Sequence, residues 1–243
     1  MYLMQNLISA GDLLKRSWDQ YTKHFKSFRE PLIWTMIPSV LIALLPIIPG
    51  ATSGTELLLS IITSIIMLWA SVRIIDASWS LYEGKAPAAS LTRTLAWGPV
   101  GRTVDYAIIS ILAGVLVILG VFLLIVPGII FANWFAFAPL VTLIEGLHGT
   151  GALKRSKELV AGRFWPIAWR WIVLNVIPTL ALVIIVSVLG GAIAAATGTL
   201  ETYFTMDATT WWSNLISAVT SVLAMPYFLI ASVILFAEAK KTR

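Results

Sequence analysis

The chain has 243 residues, of which 58% are hydrophobic and only 12% charged, with a mean hydropathy of +0.88. A soluble domain carries about a quarter charged residues, so this composition excludes a water-soluble globular protein and describes an integral membrane protein. There is no Cys, which excludes disulfides, thiolate catalysis and zinc–thiolate sites; the net charge of +5 is informative through where the positive charges fall, not as a sign of nucleic-acid binding.

The N-terminal region, Met1 to Arg29, holds no uninterrupted apolar core followed by a small-residue cleavage site, so a cleavable signal peptide is not expected. Ser9-Ala-Gly-Asp12 reads as a capping-box variant that opens a helix. Leu13, Leu14, Ser17, Trp18, Tyr21, Phe25 and Phe28 then recur at helical spacing, with Lys15, Arg16, Asp19, Lys23, Lys26 and Arg29 over much of the other face. A basic amphipathic helix of this kind lies in the membrane interface; the competing reading is a helix packed under the bundle.

Six spans follow, at about 32–48, 56–75, 106–126, 129–144, 172–196 and 212–237. Each is near the roughly 20 residues that cross a hydrocarbon core. Pro127-Gly128 is expected to be the turn between the third and fourth spans, and Asn133 and Pro139 interrupt the fourth.

The charges orient these spans. With a cytoplasmic N-terminus, the segments 49–55, 127–128 and 197–211 lie outside and contain no Lys or Arg, while Glu201 and Asp207 fall there and Glu56 sits at the rim. All 17 Lys and Arg then fall at or near the cytoplasmic side, Arg73 being the deepest. This is the positive-inside pattern, driven by the membrane potential and by anionic inner-leaflet lipid. It predicts both termini in the cytoplasm, Trp211, Trp212 and Tyr203 at the outer interface, and Trp18, Trp97, Trp165, Trp169 and Trp171 at the inner one.

The chain also repeats itself. Leu81-Tyr-Glu-Gly84 and Ser90-Leu-Thr-Arg-Thr94 match Leu143-Ile-Glu-Gly146 and Ala152-Leu-Lys-Arg-Ser156 at a constant offset of 62 residues. Leu14-Lys-Arg-Ser17 matches Leu153-Lys-Arg-Ser156, and Phe236-Ala-Glu238 closes the sixth span as Leu143-Ile-Glu145 closes the fourth. The expected architecture is therefore all-α: a single membrane domain over 1–243, with six transmembrane helices in three parallel repeats at about 10–83, 88–145 and 150–238. Each repeat is an interfacial amphipathic helix, a helical hairpin and a terminal Glu.

The run from Leu123 to Gly146, then Ala152 to Trp165, resembles the membrane domain found N-terminal to some bacterial glycerophosphoryl diester phosphodiesterases, and related stand-alone membrane proteins of unassigned function. Pro127-Gly128, Pro139, Glu145-Gly146, Ala152-Leu153, Arg155-Ser156, Leu159, Gly162-Arg163 and Trp165 carry the resemblance. It implies a multi-span membrane domain in a bacterial cytoplasmic membrane, and it does not imply a catalyst. The phosphodiesterase activity of the fused members resides in a separate soluble barrel, which is expected to be absent here because the sequence ends at Arg243.

A search for chemistry agrees. His24 and His148 have no second His at ligand spacing and read as solvated or interfacial. No phosphate loop, nucleophile elbow or paired intramembrane carboxylates are present. No cofactor is implied. Glu83, Glu145 and Glu238 fall one per repeat at the inner surface. They read as structural brackets that pair with Arg16, Arg93 or Arg155 and fix the amphipathic helices, the alternative being a headgroup or substrate site. Arg73 and Asp76, three residues apart, share a helix face. Together with Asn133 they form the candidate lipid- or substrate-binding set, against a simple snorkelling role for Arg73. Lys154, Arg155, Lys157, Arg163 and Arg170 form a basic surface that suits anionic headgroups, although positive-inside topology alone accounts for them.

Three functional classes follow. A membrane-organising protein would use the amphipathic helices to engage lipid, a protein partner or a second copy. A transporter or lipid-handling protein would carry a site on the repeat axis, open to the inner leaflet and lined by Arg73, Asp76 and Asn133. An intramembrane enzyme is the weakest of the three. A dry, close-packed axis favours the first class.

Overall fold

The computed structural model describes residues 7–48, 50, 52–85, 98–199 and 211–241, and these residues form helices and connecting turns with no strand among them. The elements are α1 (Ala10–Lys23), α2 (Phe25–Leu44) followed by a 3-10 turn (Leu45–Ile47), α3 (Ser53–Tyr82), α4 (Gly98–Leu123), α5 (Ile125–Phe135), α6 (Ala138–Glu145), α7 (Gly149–Val160), α8 (Phe164–Thr197) and α9 (Trp211–Lys241). Six segments are long and apolar enough to cross a membrane, α5 and α6 together making the fourth. The protein is a multi-pass membrane protein. The expected repeat segment around Ser90 to Thr94, with Arg93 and Trp97, lies outside the described residues.

Several boundaries differ from the sequence reading, each for a local reason. The amphipathic helix opens as expected, with Asp12 N–H donating to Ser9 Oγ at 3.0 Å, but it ends at Lys23. His24 (φ −113°, ψ 24°) breaks the helix, so Phe25, Phe28, Lys26 and Arg29 begin the first span instead. The bend brings Tyr21 within 6.3 Å of Phe28, ring to ring, and both side chains are buried.

The turn of the second hairpin is not at Pro127-Gly128. The chain reverses at Leu124, in extended conformation (φ −170°, ψ 151°), and Pro127 stands in the first turn of α5, where its missing N–H costs no helix bond. Gly128 has a different task. A Cβ placed on it would collide with Val121 Cγ2 and lie 2.9 Å from Val121 N, and one on Gly120 would lie 2.9 Å from Gly128 Cα. The two glycines let α4 and α5 touch backbone to backbone.

The fourth span is broken, as Asn133 and Pro139 lead one to expect. Pro139 cannot donate to Phe135 O, and the helix gives way to a turn at Ala136–Phe137. Glu145 and Glu83 end their spans because a glycine in left-handed conformation follows each: Gly146 at φ 70° and Gly84 at φ 72°. This is the physical content of the repeated Glu-Gly pair.

The spans are packed unequally. α9 lies against α1, α2 and α3 as well as α8. Half of its most apolar stretch is buried, against 11% for α8, so α9 is central and α8 is the span most open to lipid. The core gathers toward the end of the bundle that carries α1, α7 and the last turns of α9, where Phe28, Phe137, Phe236, Leu13 and Leu159 are fully buried.

Candidate functional site

The polar chemistry of the molecule is concentrated at this same end, where α1 and α7 meet the span termini. Three layers build it.

The first layer is backbone satisfaction at the broken span. Ser156, on the buried face of α7, is 0% exposed. Its hydroxyl donates to Trp134 O at 2.7 Å and accepts from Phe137 N–H at 3.2 Å. One side chain thus satisfies groups on both sides of the break that Pro139 imposes, in a place where an unpaired backbone group is costly. Asn133 serves the same segment: its Nδ2 donates to Phe164 O at 3.0 Å, tying α5 to the first residue of α8.

The second layer is the set of brackets. Glu145 Oε2 accepts from Arg155 Nε at 3.0 Å, and Lys240 Nζ stands 3.1 Å from Oε1. The carboxylate therefore joins α6, α7 and α9. Its hydrogen bond holds the Arg155 guanidinium above its ordinary pKa. Glu238 pairs with Arg16 at 3.6 Å and accepts from Tyr82 Oη at 3.4 Å, joining α9, α1 and α3. The two brackets differ in strength. The Arg16 side chain is 60% exposed and the Arg155 side chain 29%, so solvent screens the first pair more than the second. Glu83 pairs instead with Lys85, two residues on; its expected partner Arg93 is outside the described residues.

The third layer is a set of cations that the sequence leaves open between a headgroup surface and plain positive-inside charge. Arg163 donates to Ala239 O at 2.8 Å and Leu159 O at 3.2 Å, closing the end of α9. Arg170 donates to Ile8 O, Leu7 O and Pro166 O, holding the chain just before α1. Lys157 lies over the Trp134 ring, 4.1 Å from its centroid. Of the five cations expected on that surface, Arg155, Lys157, Arg163 and Arg170 are turned to internal partners.

Arg73 and Asp76 share one face of α3, and the fold adds a partner to them. The partner that grips Asp76 is Arg102, on α4, which donates to both carboxylate oxygens at 2.8 Å and to Leu143 O at 3.0 Å. This fork ties α3 to α4 and α6. Its signal in the sequence was weak: Arg102 is an ordinary flanking cation until the fold brings it to Asp76. Arg73 is partly buried and forms no ion pair among the described residues. Asn133 is held by the Phe164 carbonyl and Asp76 by Arg102, so these two side chains have different partners. His148 caps α7 and faces Asp105 at 3.6 Å. Among the described residues no three His, Asp or Glu side chains form a metal-binding group.

Between these layers the centre is filled by aromatic rings from all three hairpins. Phe137 and Phe236 meet edge to face at 5.8 Å, Trp79 meets Phe236 at 6.0 Å, and Trp171 meets Phe137 at 6.0 Å.

Two grooves lie away from this centre. One of about 590 Å³ at the opposite end has a mixed lining that includes Ser39, Thr52, Glu56, Asn214 and Ser217. A larger, almost wholly apolar one of about 950 Å³ runs between α1, α8 and α9.

Comparison of the chain with protein-family models, with curated proteins and with solved structures finds no match in any of the three.

Proposed function

We propose that this is a non-catalytic, membrane-organising protein of a bacterial cytoplasmic membrane, with both termini in the cytoplasm and with lipid as its first partner. The observation that carries the reading is the filled aromatic centre at Phe137, Phe236, Trp79 and Trp171, ringed by polar groups that hold α1 and α7 in place. A site on the axis would need room and uncommitted polar groups. Here Asp76 is gripped by Arg102, Glu145 by two cations, and the Asn133 Nδ2 by the Phe164 carbonyl, while the Asn133 Oδ1 is buried with no hydrogen-bond partner among the described residues. The orientation rests on the segregation of Lys and Arg. Kinship with the glycerophosphoryl diester phosphodiesterase membrane domain rests on the motif run from Pro127 to Trp165 alone.

Proteoliposomes test the functional reading against lipid handling or transport. Purified protein in vesicles of phosphatidylethanolamine and phosphatidylglycerol is expected to move fluorescent phospholipid between leaflets no faster than protein-free vesicles do. Acceleration that Arg73→Gln or Asp76→Asn abolishes overturns the organising role.

A further inference from the structure

The groove between α1, α8 and α9 is the largest apolar concavity described above, and its volume is at the top of the roughly 300–1,000 Å³ range of ligand pockets. Its lining changes character along its length. At the α1 end stand Lys15 and the rings of Trp18 and Tyr21; further along come Pro178, Leu182 and Phe228. Trp18 is 57% exposed although it sits among apolar neighbours, and Phe25 is exposed beside it. Tyr21 is fixed by its own hydroxyl, which donates to Leu223 O at 2.9 Å, so one wall is rigid. Pro178, inside α8, leaves Leu174 O without its helical donor.

Charge is confined to one end. Lys15 is the charged residue of the lining, and it forms no ion pair among the described residues, whereas its neighbour Arg16 is spent on Glu238. Arg170 lies two turns before Ile177 of the lining and is anchored to Leu7 and Ile8, immediately ahead of α1. A cationic rim, an aromatic collar and an apolar trough match, in order, a phosphate, a glycerol–ester region and an acyl chain.

We infer that this groove is a binding site for an anionic diacyl phospholipid, its phosphate on Lys15 and one acyl chain laid between α8 and α9. The inference rests on the organising role proposed above and gives it a defined lipid. It uses none of Arg73, Asp76 or Asn133, so the two readings fail separately.

Native mass spectrometry of the protein released from vesicles of equimolar phosphatidylglycerol and phosphatidylcholine tests it. The wild type is expected to retain phosphatidylglycerol in preference. Lys15→Gln is expected to lower that retention about fivefold, the factor that one cation near an anionic surface contributes. Ala181→Trp, which fills the trough, is expected to remove the bound lipid. Lys26→Gln, an exposed cation outside the groove, is expected to change nothing and, as Lys15→Gln does, to leave the fold intact. Equal retention of the two lipids by the wild type, or a loss with Lys26→Gln as large as with Lys15→Gln, overturns the proposal.

Discussion

Ser156 on α7 accepts a hydrogen bond from Phe137 N–H at 3.2 Å, in the gap between α5 and α6. The amphipathic helix α7 is therefore an inserted part of the bundle, supplying hydrogen bonds to backbone groups beside the break in the fourth span.

Ser156→Ala is expected to lower stability in detergent by about 1–3 kcal/mol, because Trp134 O and Phe137 N–H lose their partner together. Ser17→Ala is the control. Ser17 is equally buried but donates only to Leu13 O within its own helix, so its loss is expected to be the smaller. Thermal melting of both variants checks this; equal losses contradict it.

Glu145→Gln and Glu238→Gln are expected to differ. The first weakens a shielded carboxylate held by Arg155 and Lys240 and is expected to cost about 1.5–3 kcal/mol. The second weakens a longer pair with an exposed partner and is expected to cost about 0.2–1 kcal/mol. An unchanged melting temperature for Glu145→Gln rules out the bracket role.

Gly128→Ala is expected to destabilise by about 1–3 kcal/mol, since its methyl has no room beside Val121. Gly151→Ala, in α7 with nothing within 4 Å of the added carbon, is expected to be neutral or slightly stabilising. Denaturation midpoints of the pair report whether the α4–α5 contact is as close as described.

The chain has no native Cys, so single cysteines report topology cleanly. Cysteines at Ser53 and Thr199 are expected to react with an impermeant thiol reagent from outside the cell. Labelling only from the cytoplasmic side overturns the orientation.

The spans were legible because burial in lipid writes long apolar runs, and local rules reached the Ser9 cap, the Pro139 break and the pairing of Glu145 with Arg155. Non-local geometry was not legible. Nothing in the one-dimensional pattern separates Arg102 from any flanking cation, yet it is the residue that grips Asp76. Arg163 and Arg170 look like headgroup ligands in sequence because a cation aimed at a backbone carbonyl and one aimed at a phosphate leave the same mark. Pro127-Gly128 misled for a similar reason: the pair is a turn signal in isolation, but here the proline opens a helix and the glycine makes room for its neighbour. The groove along α8 depends on how three helices diverge, which no residue pattern records.

Native mass spectrometry of the protein extracted gently from its own membrane tests the central claim most directly. The organising reading predicts bound lipid or a stoichiometric protein partner, with the bound mass unchanged by Arg73→Gln and Asp76→Asn. A small molecule of defined mass, present in the wild type and lost in either variant, would contradict it and place a substrate on the axis.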